Sequence, residues 1–441
     1  MNNSERAVSG SPSDRPVAPD VSEGHDDDVF AFPASFAQQR LWFLDQVDPG
    51  TAVYNIPQAF HLTGPVDIPQ LGTSLQAVVD RHESLRTTFG QKDGAPLQLV
   101  SASVRLDLPV VDLRHLPKRE RLPEAQRLAD QEAREPFHLH KGPLIRASII
   151  VLGEAEHVLL MNVHHIVCDG WSLALLFQEL SELYRAGVEN REPALPDIPI
   201  QYPDYTLWQR DHLQGEELDK QLAFWRERLA GELAVLELPS DRPRPALPTF
   251  QGGWIPFSLS ADVARTLGSL ARREGTSLYM TLLAAFKVLL HRMSGQAEVL
   301  VGSPIANRDR AEIENAIGFY TNTVIHRTNL ADNPTFRALV ARVKENALGV
   351  YANQDVPLDR VVDAVHPQRA VSHNPLFQAM FGFQKAPDEA FALPGVAVKA
   401  LVVHSGTSKF DLLLEMQEVA NGLNVSLNTV KTFSSATRPN G

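Results

Sequence analysis

The chain has 441 residues, 44% of them hydrophobic, and a formal net charge of −12. This length allows two or three ordinary domains with apolar cores, and the acidic balance argues against a nucleic-acid-binding surface. The single cysteine, Cys168, excludes an internal disulfide framework and fits the reducing cytoplasm. The polar N-terminus is unlike a secretory signal, and no apolar run reaches the length of a membrane span. We therefore expect a cytoplasmic protein without a membrane partner.

The first segment in chain order is an acidic tail. Residues 1–28 hold seven acidic side chains against two arginines and are rich in Ser, Asp, Pro and Gly. Such a composition cannot bury enough apolar surface to offset the entropy of ordering, so the tail is predicted to be disordered. Ordered structure is predicted to begin near Phe30.

Residues 29–186 are predicted to form an N-terminal α/β lobe. Helices are predicted where apolar residues recur at the spacing of one buried face, and strands where Ile, Val and Leu alternate or run together. The predicted helices are residues 36–46, 68–89, 120–135 and 171–185. The predicted strands are residues 97–113, 144–152 and 157–163.

A proline-rich stretch, residues 187–204, follows this lobe. Its prolines are Pro193, Pro196, Pro199 and Pro203. That composition is typical of a linker, so residues 205–441 are predicted to form a C-terminal lobe, also α/β. Its predicted helices are residues 205–230, 261–274, 278–293, 336–353 and 358–365. Its predicted strands are residues 254–259, 298–302, 377–383, 396–403 and 410–419.

The stretch VHHIVCDGWS, residues 163–172, gathers two histidines, a cysteine and a carboxylate where a predicted strand ends and a predicted helix begins. Neighbouring strand residues point to opposite faces, so we expect one of His164 and His165 to face a crevice while the other packs inward. Asp169 is expected to cap backbone N–H groups of the helix. A histidine with an ordinary pKa near ~6.5 can exchange a proton at neutral pH.

Three other interpretations of this stretch compete with acid–base chemistry. His164, His165 and Asp169 could ligate zinc, although adjacent strand residues diverge and no distant Cys or His cluster completes such a site. Cys168 could be a nucleophile if the fold supplied an activating base, but a lone intracellular cysteine is more commonly a small buried residue. The two histidines could also pack without any chemical role.

The motif HHIVCDG resembles the HHxxxDG signature of the condensation domains of nonribosomal peptide synthetases. Six further segments resemble the other motifs of that family, in the same order along the chain. They are SFAQQRLWFL (35–44), RHESLRTTF (81–89), YPDYTLWQR (202–210), IGFYTNTV (317–324), NQDVPLDRVV (353–362) and SHNPLFQAMF (372–381). The resemblance covers about residues 30–430.

This resemblance implies an α/β fold of two chloramphenicol-acetyltransferase-like lobes that form a V with a central tunnel. It implies an enzyme in which an acceptor amine attacks a donor thioester, with His165 as the catalytic histidine and His164 beside it. Gly170 would let the backbone come close to the thioester carbonyl. Asp169 would form a structural salt bridge with an arginine, for which Arg308 is the matching candidate.

The same resemblance implies partners rather than a bound cofactor. A donor carrier protein and an acceptor carrier protein, or a soluble acceptor in place of the second, would meet at the histidines. The phosphopantetheine arms belong to the carriers, and neither a metal nor a cofactor of the chain's own is expected. Residues expected to line the tunnel or position substrate are Trp171, Ser172, Asn322 and Ser372.

The subtype and the acceptor are less defined than the family. The two retained histidines disfavour a heterocyclising domain, and RHESLRTTF and IGFYTNT most resemble domains that join two L-configured residues. Tyr320 and Thr321 stand where the family commonly has Phe-Val, which leaves acceptor specificity open. Two alternatives remain: a free-standing acyltransferase that forms an ester or amide with a soluble acceptor, and an idle module that only recruits carriers. The intact signature counts against the idle module.

Overall fold

The computed structural model describes residues 28–240, 250–366, 373–385 and 391–430. The acidic tail predicted to be disordered, residues 1–28, lies outside these ranges except for Asp28, and Ser372 lies outside them as well. Within the described residues, none of the helices is both long enough and apolar enough to cross a membrane.

The first half of the chain begins with a strand and a capped helix. The Ser35 hydroxyl accepts a hydrogen bond from the Gln38 N–H at 3.1 Å, and Gln38 Oε1 accepts one from the Ser35 N–H at 3.0 Å. This reciprocal pair satisfies N–H groups that have no partner inside the helix. The elements are β1 (Val29–Pro33), α1 (Phe36–Val47), β2 (Asn55–Thr63), α2 (Ile68–Arg81), β3 (Thr87–Lys92), β4 (Ala95–Ser101), β5 (Val110–Asp112), α3 (Lys118–Arg134), β6 (Ile145–Gly153), β7 (Glu156–His164) and α4 (Gly170–Glu189).

Hydroxyl residues also begin the long helices of the second half. Ser260, Ser277 and Thr335 each accept a backbone N–H from the first helical turn. The elements of this half are α5 (Tyr202–His212), α6 (Gly215–Arg228), β8 (Gly252–Ser260), α7 (Ala261–Arg273), α8 (Leu278–Ser294), β9 (Glu298–Ile305), β10 (Asn322–Asn329), α9 (Phe336–Tyr351), α10 (Leu358–Val365), β11 (Ala379–Lys385), β12 (Ala397–Leu401), β13 (Leu412–Val419) and β14 (Gly422–Val430).

Each half builds one large sheet against helices. The first sheet has the strand order β12-β2-β7-β6-β5, and the second has the order β10-β9-β11-β13-β14-β8. A smaller antiparallel sheet, β1-β4-β3, lies in the first half. Buried apolar side chains form a core in each half, with α2 and α4 in the first and α8 and α9 in the second. This α/β class agrees with the expectation from the sequence.

One strand departs from the predicted division of the chain into lobes. β12 belongs to residues 205–441, yet it pairs antiparallel with β2 and forms the edge of the first sheet, with Ala397 opposite Thr63. Helix α5 begins inside the predicted linker, at Tyr202, and contacts the first half through Arg210, which donates to the Ala34 carbonyl at 2.7 Å. The boundaries 29–186, 187–204 and 205–441 therefore describe chain segments and do not match the two sheets strand for strand.

The helix predicted over residues 68–89 is shorter than the periodicity indicated. It ends at Arg81, a 3₁₀ turn occupies Glu83–Arg86, and Thr87–Lys92 is a strand. The apolar spacing continues past the end of the helix because the turn and the strand also bury their apolar residues. Since β-branched threonines start the strand, the change of period was visible in the sequence.

Several other elements differ from the prediction. The helix predicted over residues 205–230 is two helices, which separate before Gly215, a glycine with a positive φ of 60°. Strand β2 was not predicted, and it contains Pro57, a residue type that is uncommon inside a sheet. Pro57 lies beyond the part of β2 that β12 covers, so one side of the strand is unpaired there. Strands β1, β3, β10 and β14 were also missed.

Candidate active site

The two histidines lie at the end of β7, one connecting loop before α4. β7 is buried along its length, and α4 begins at Gly170 with Asp169 as its N-cap. Asp169 Oδ1 accepts the Ser172 N–H at 2.8 Å, as expected for a capping carboxylate. Gly170 is therefore the first helical residue rather than the residue before the helix. It is exposed, and an added Cβ would find no heavy atom within 4 Å.

His165 is held so that one ring nitrogen remains available. Its backbone N–H donates to the Tyr54 carbonyl at 2.8 Å, and its Nδ1 lies 2.9 Å from the Cys168 carbonyl oxygen. Because a carbonyl can only accept, Nδ1 carries the hydrogen and Nε2 carries the lone pair. The ring is only partly buried and meets Phe319 edge to face, with centroids 4.9 Å apart.

Burial and then the charge of Lys409 lower the pKa of His165 to about 3. The ring is therefore neutral near pH 7, and its neutral form has the tautomer just described. Lys409 lowers the pKa because its positive charge repels a desolvated imidazolium.

His164 packs inward, so the two side chains diverge as the strand geometry predicted. Its Nδ1 accepts the Ile166 N–H at 3.2 Å, which leaves the hydrogen on Nε2. The ring is buried between Phe137 and Tyr54, with centroids 5.9 and 6.2 Å away. Burial, then His165 and Lys409, lower its pKa to about 3. His164 therefore has a packing role next to His165.

Asp169 and Arg308 lie together in the interior, with both side chains almost fully buried. Arg308 Nη2 is 3.7 Å from Asp169 Oδ1, and the same nitrogen donates to the Ser172 hydroxyl at 2.6 Å. Asp169 Oδ2 accepts the N–H groups of Tyr320 at 2.9 Å and Thr321 at 3.1 Å. The carboxylate thus accepts three backbone N–H groups, and the arginine neutralises its charge from a slightly longer distance.

Residues 317–321, which precede β10, are held in place by side chains of several motifs. Ser172 Oγ accepts the Gly318 N–H at 3.0 Å and donates to the Gly318 carbonyl at 2.8 Å. The Ser84 hydroxyl donates to the Ile317 carbonyl at 2.8 Å, and the Tyr202 hydroxyl donates to the Phe319 carbonyl at 2.7 Å. This loop therefore presents Phe319 to His165 at a fixed position.

A buried histidine supports the same loop from the RHESLRTTF motif. His82 Nδ1 accepts the Ile317 N–H at 3.2 Å, so its Nε2–H donates to Glu179 Oε2 at 3.1 Å. Glu179 also accepts from Arg81 Nε at 2.9 Å. Sequence reasoning missed Glu179, although one charged residue among the apolar positions of α4 was a usable signal.

Three of the residues expected to position substrate have other contacts, and the fourth is not described. Trp171 is 46% exposed and donates from Nε1 to the Glu314 carbonyl at 3.0 Å. Ser172 is buried and already has the partners given above. Asn322 donates to the carbonyls of Gln354 and Val356, both at 2.8 Å, so it fixes a neighbouring loop. Ser372 lies outside the described residues.

The competing interpretations of this stretch find little support in the geometry. Of the ring nitrogens of His164 and His165, only His165 Nε2 keeps a free lone pair, and both Asp169 oxygens already accept backbone N–H groups. Among the residues that the structure describes, no three His, Cys, Asp or Glu side chains gather into a metal-binding group. Cys168 is buried, and burial, followed by the nearby Asp169 charge, raises the pKa of its thiol well above the usual value. A protonated thiol is a poor nucleophile.

A lysine from the second half also approaches the histidines. Lys409 Nζ lies 4.9 Å from the centre of the Tyr54 ring, next to the strand end that carries His164 and His165. Sequence reasoning missed this residue because it is far from the signature in the chain, and no local pattern indicates which loop of the second half reaches the site.

Comparison with known proteins gives the same family along nearly all of the chain. Residues 31–438 match the family described as Condensation domain. A linear gramicidin synthase protein of Brevibacillus parabrevis is 49% identical over 394 residues, which are 89% of this chain and 8% of that protein. Phosphinothricin tripeptide synthetase PhsC of Streptomyces viridochromogenes is 39% identical over 393 residues, 89% of this chain and 36% of that protein. The chain thus corresponds to a part of each relative.

Solved structures share the fold. A four-domain nonribosomal peptide synthetase in its holo form, bound to AMP and glycine, has a TM-score of 0.84 at 24% identity and covers 95% of this chain and 32% of that one. The X-domain from teicoplanin biosynthesis, solved in complex with OxyB, has a TM-score of 0.81 at 25% identity, with 94% and 91% covered. The fold implied by the motifs is confirmed.

Proposed function

Since the chain belongs to the condensation-domain family, we propose that it forms an amide bond between two carrier-bound substrates in nonribosomal peptide or related natural-product synthesis. The acceptor amine attacks the carbonyl carbon of the donor thioester. The C–N bond forms, the C–S bond breaks, and the departing sulfur takes the proton that the amine loses. The enzyme has to orient a neutral amine and needs no covalent intermediate, because the donor arrives already activated.

One observation carries this proposal: His165 has a fixed neutral tautomer with an available nitrogen. Its Nδ1–H donates to the Cys168 carbonyl, and among the described residues no protein group bonds to Nε2. His165 is partly exposed, and its ring lies beside Phe319. An acceptor amine can therefore donate a hydrogen bond to Nε2. This bond directs the lone pair of the amine nitrogen away from the imidazole ring.

The low pKa of His165 favours positioning over proton abstraction from an ammonium group. An α-ammonium ordinarily has a pKa of about 7.7–8, whereas the pKa of His165 is about 3. Such a ring is too weak a base to neutralise an ammonium, but it accepts a hydrogen bond from a neutral amine. We propose that His165 acts by orienting that amine.

Gly170 is the proposed point of approach for the thioester. The space that a side chain at this position would occupy is open, and Gly170 is the first residue of α4. Backbone N–H groups at a helix N-terminus favour developing negative charge. A carbonyl oxygen placed here would be stabilised as the tetrahedral intermediate forms.

We propose that donor and acceptor arrive on the phosphopantetheine arms of carrier proteins, and that the chain works in the cytoplasm without a cofactor of its own. Support comes from the relatives, which are named as synthases and synthetases and of which this chain matches one part. The L-to-L subtype stays a prediction from the motifs.

The test is a condensation assay with a donor carrier loaded with an acyl or aminoacyl thioester. The acceptors are an aminoacylated carrier and a panel of soluble amines and alcohols, and products are identified by mass spectrometry. We expect an amide from the carrier-bound amine. An ester, or a product only from soluble acceptors, would support the free-standing acyltransferase, and binding of the carriers without any product would support the idle module.

A further inference from the structure

Lys409 brings a positive charge from the second half of the chain to the two histidines. It lies in the segment that joins β12, in the first sheet, to β13, in the second. Its Nζ is 4.9 Å from the centre of the Tyr54 ring. The Tyr54 carbonyl accepts the His165 N–H at 2.8 Å, and its ring centroid is 6.2 Å from that of His164. Tyr54 is therefore a shared neighbour of the lysine and of both histidines.

The segment that carries Lys409 is anchored on both sides of it. The Ser408 N–H donates to the Phe250 carbonyl at 2.8 Å, and the Ser408 hydroxyl donates to the Phe410 carbonyl at 2.8 Å. The residue before Ser408, Thr407, forms an antiparallel bridge with Gln251. The backbone that carries the Lys409 side chain is therefore held in place on both sides of the residue.

Within the part of the chain that the structure describes, no carboxylate contacts the ammonium group of this lysine directly. Among the described residues, Lys409 Nζ has neither an ion pair nor a hydrogen bond to a protein acceptor. The charges that act on it are those of Glu415 on β13 and Arg40 on α1. Arg40 is 3.7 Å from Asp359 on α10. Glu415 accepts from Ser426 and Asn428, at 3.4 and 3.3 Å.

We propose that Lys409 is a positioning residue for the condensation reaction: its ammonium group keeps a proton off the His165 ring and off the acceptor amine beside it. This inference rests on the proposed function. In a partly desolvated cleft, a cation raises the free energy of a second cation nearby, whether imidazolium or ammonium. The acceptor has to attack as a neutral amine. The charge of Lys409 therefore favours the neutral, reactive form of both the His165 ring and the acceptor amine.

The titration of Lys409 limits the pH range of this effect. Burial lowers the pKa of Lys409 to about 8; the charge of Glu415 opposes this effect, and the smaller effect of Arg40 adds to it. The lysine is therefore mostly charged at pH 7 and loses its charge as the pH rises past 8. An ordinary α-amine, with a pKa of about 7.7–8, is neutral above that pH without help. Lys409 therefore matters at and below neutral pH.

The test compares Lys409→Met, which removes the charge, with Lys409→Arg, which keeps it at every pH. The matched control is Lys399→Met, the same change at an exposed lysine of β12. The first readout is kcat/KM for amide formation between pH 5.5 and 9.5. We expect Lys409→Met to move the acid limb of the profile to higher pH, by roughly half to one unit, and to converge with the wild type above pH 9. Lys409→Arg and Lys399→Met should keep the wild-type limb.

The second readout is the NMR titration of His165 in the full chain, with its ring signal assigned by its loss in His165→Gln. Removing the charge in Lys409→Met should raise the pH at which the ring titrates. This measurement needs no substrate, so it tests Lys409 even if the wild type forms no amide and the proposed function fails. Unshifted titration and an unshifted rate profile overturn the inference. So does an equal loss of rate at every pH in Lys409→Met and Lys409→Arg, which would show a packing role only.

Discussion

His82 Nε2 donates a buried hydrogen bond of 3.1 Å to Glu179. The other ring nitrogen of His82, Nδ1, accepts the Ile317 N–H. Burial alone would raise the pKa of Glu179, but the bonds from His82 and Arg81 outweigh it and hold that pKa below its usual value. The ionised carboxylate therefore fixes the histidine tautomer that seats residues 317–321.

We predict that Glu179→Gln lowers the melting temperature, most strongly at neutral pH. Because the folded pKa of Glu179 lies below the unfolded one, its contribution is full above the unfolded value of about 4.3 and is lost as the pH falls further. Thermal unfolding between pH 3 and 7 should show the gap to wild type narrowing in acid. Glu154→Gln, in an exposed turn, is the control. A gap that stays constant with pH would contradict the prediction.

We predict that His165→Ala loses most turnover while its melting temperature stays near that of the wild type. The ring is partly exposed, and its nitrogen is the proposed hydrogen-bond acceptor for the amine. Single-turnover amide formation from a loaded donor carrier measures the loss, and His138→Ala, an exposed histidine, is the control. Near-normal product formation by His165→Ala would remove this residue from the mechanism.

We predict that Asp169→Ala and Arg308→Ala each destabilise the fold, by about 3–5 kcal/mol, because each leaves a buried charge unpaired. Asp169→Ala also leaves the N–H groups of Ser172, Tyr320 and Thr321 without their acceptor. Denaturant unfolding of both variants and of the double variant measures the coupling. The double variant should lose less than the sum of the two single losses, and strict additivity would show that the two residues are not partners.

We predict that Cys168→Ala keeps most of the activity and that the wild-type enzyme forms no acyl adduct. The thiol is buried and its pKa is raised, so the reactive thiolate is not formed near neutral pH. Intact-mass spectrometry after mixing enzyme with loaded donor carrier checks for the adduct. An acyl group mapped to Cys168, together with an inactive Cys168→Ala, would replace direct attack by a two-step transfer through the enzyme.

The local features of the site could be read from the sequence. Adjacent strand residues diverge, which separated His164 from His165, and a carboxylate before an apolar helix indicated the cap formed by Asp169. The partner of Asp169 was predicted only through the resemblance, since Arg308 is distant in the chain. No periodicity indicates that two buried charges will meet.

The features that sequence reasoning missed depend on contacts between residues that are distant in the chain. Glu179 is a single polar residue on an apolar helix face, and Lys409 lies in a segment that matches none of the motifs. Asn322 and Ser172 were predicted to meet substrate, yet their polar atoms bond to backbone groups. A polar side chain near a site can form hydrogen bonds with backbone groups as readily as with a ligand. Only three-dimensional packing decides between these roles.

The pairing of β12 with β2 has a consequence for the order in which the chain can fold during synthesis. The ribosome makes β2 first, and the strand that completes its sheet is made only after residues 64–396 have followed. Until then Ala59–Thr63 presents unpaired backbone groups at a sheet edge, which can pair with another chain. Expression of the first 186 residues alone should therefore yield an aggregation-prone fragment, and co-expression of the remaining segment should rescue it.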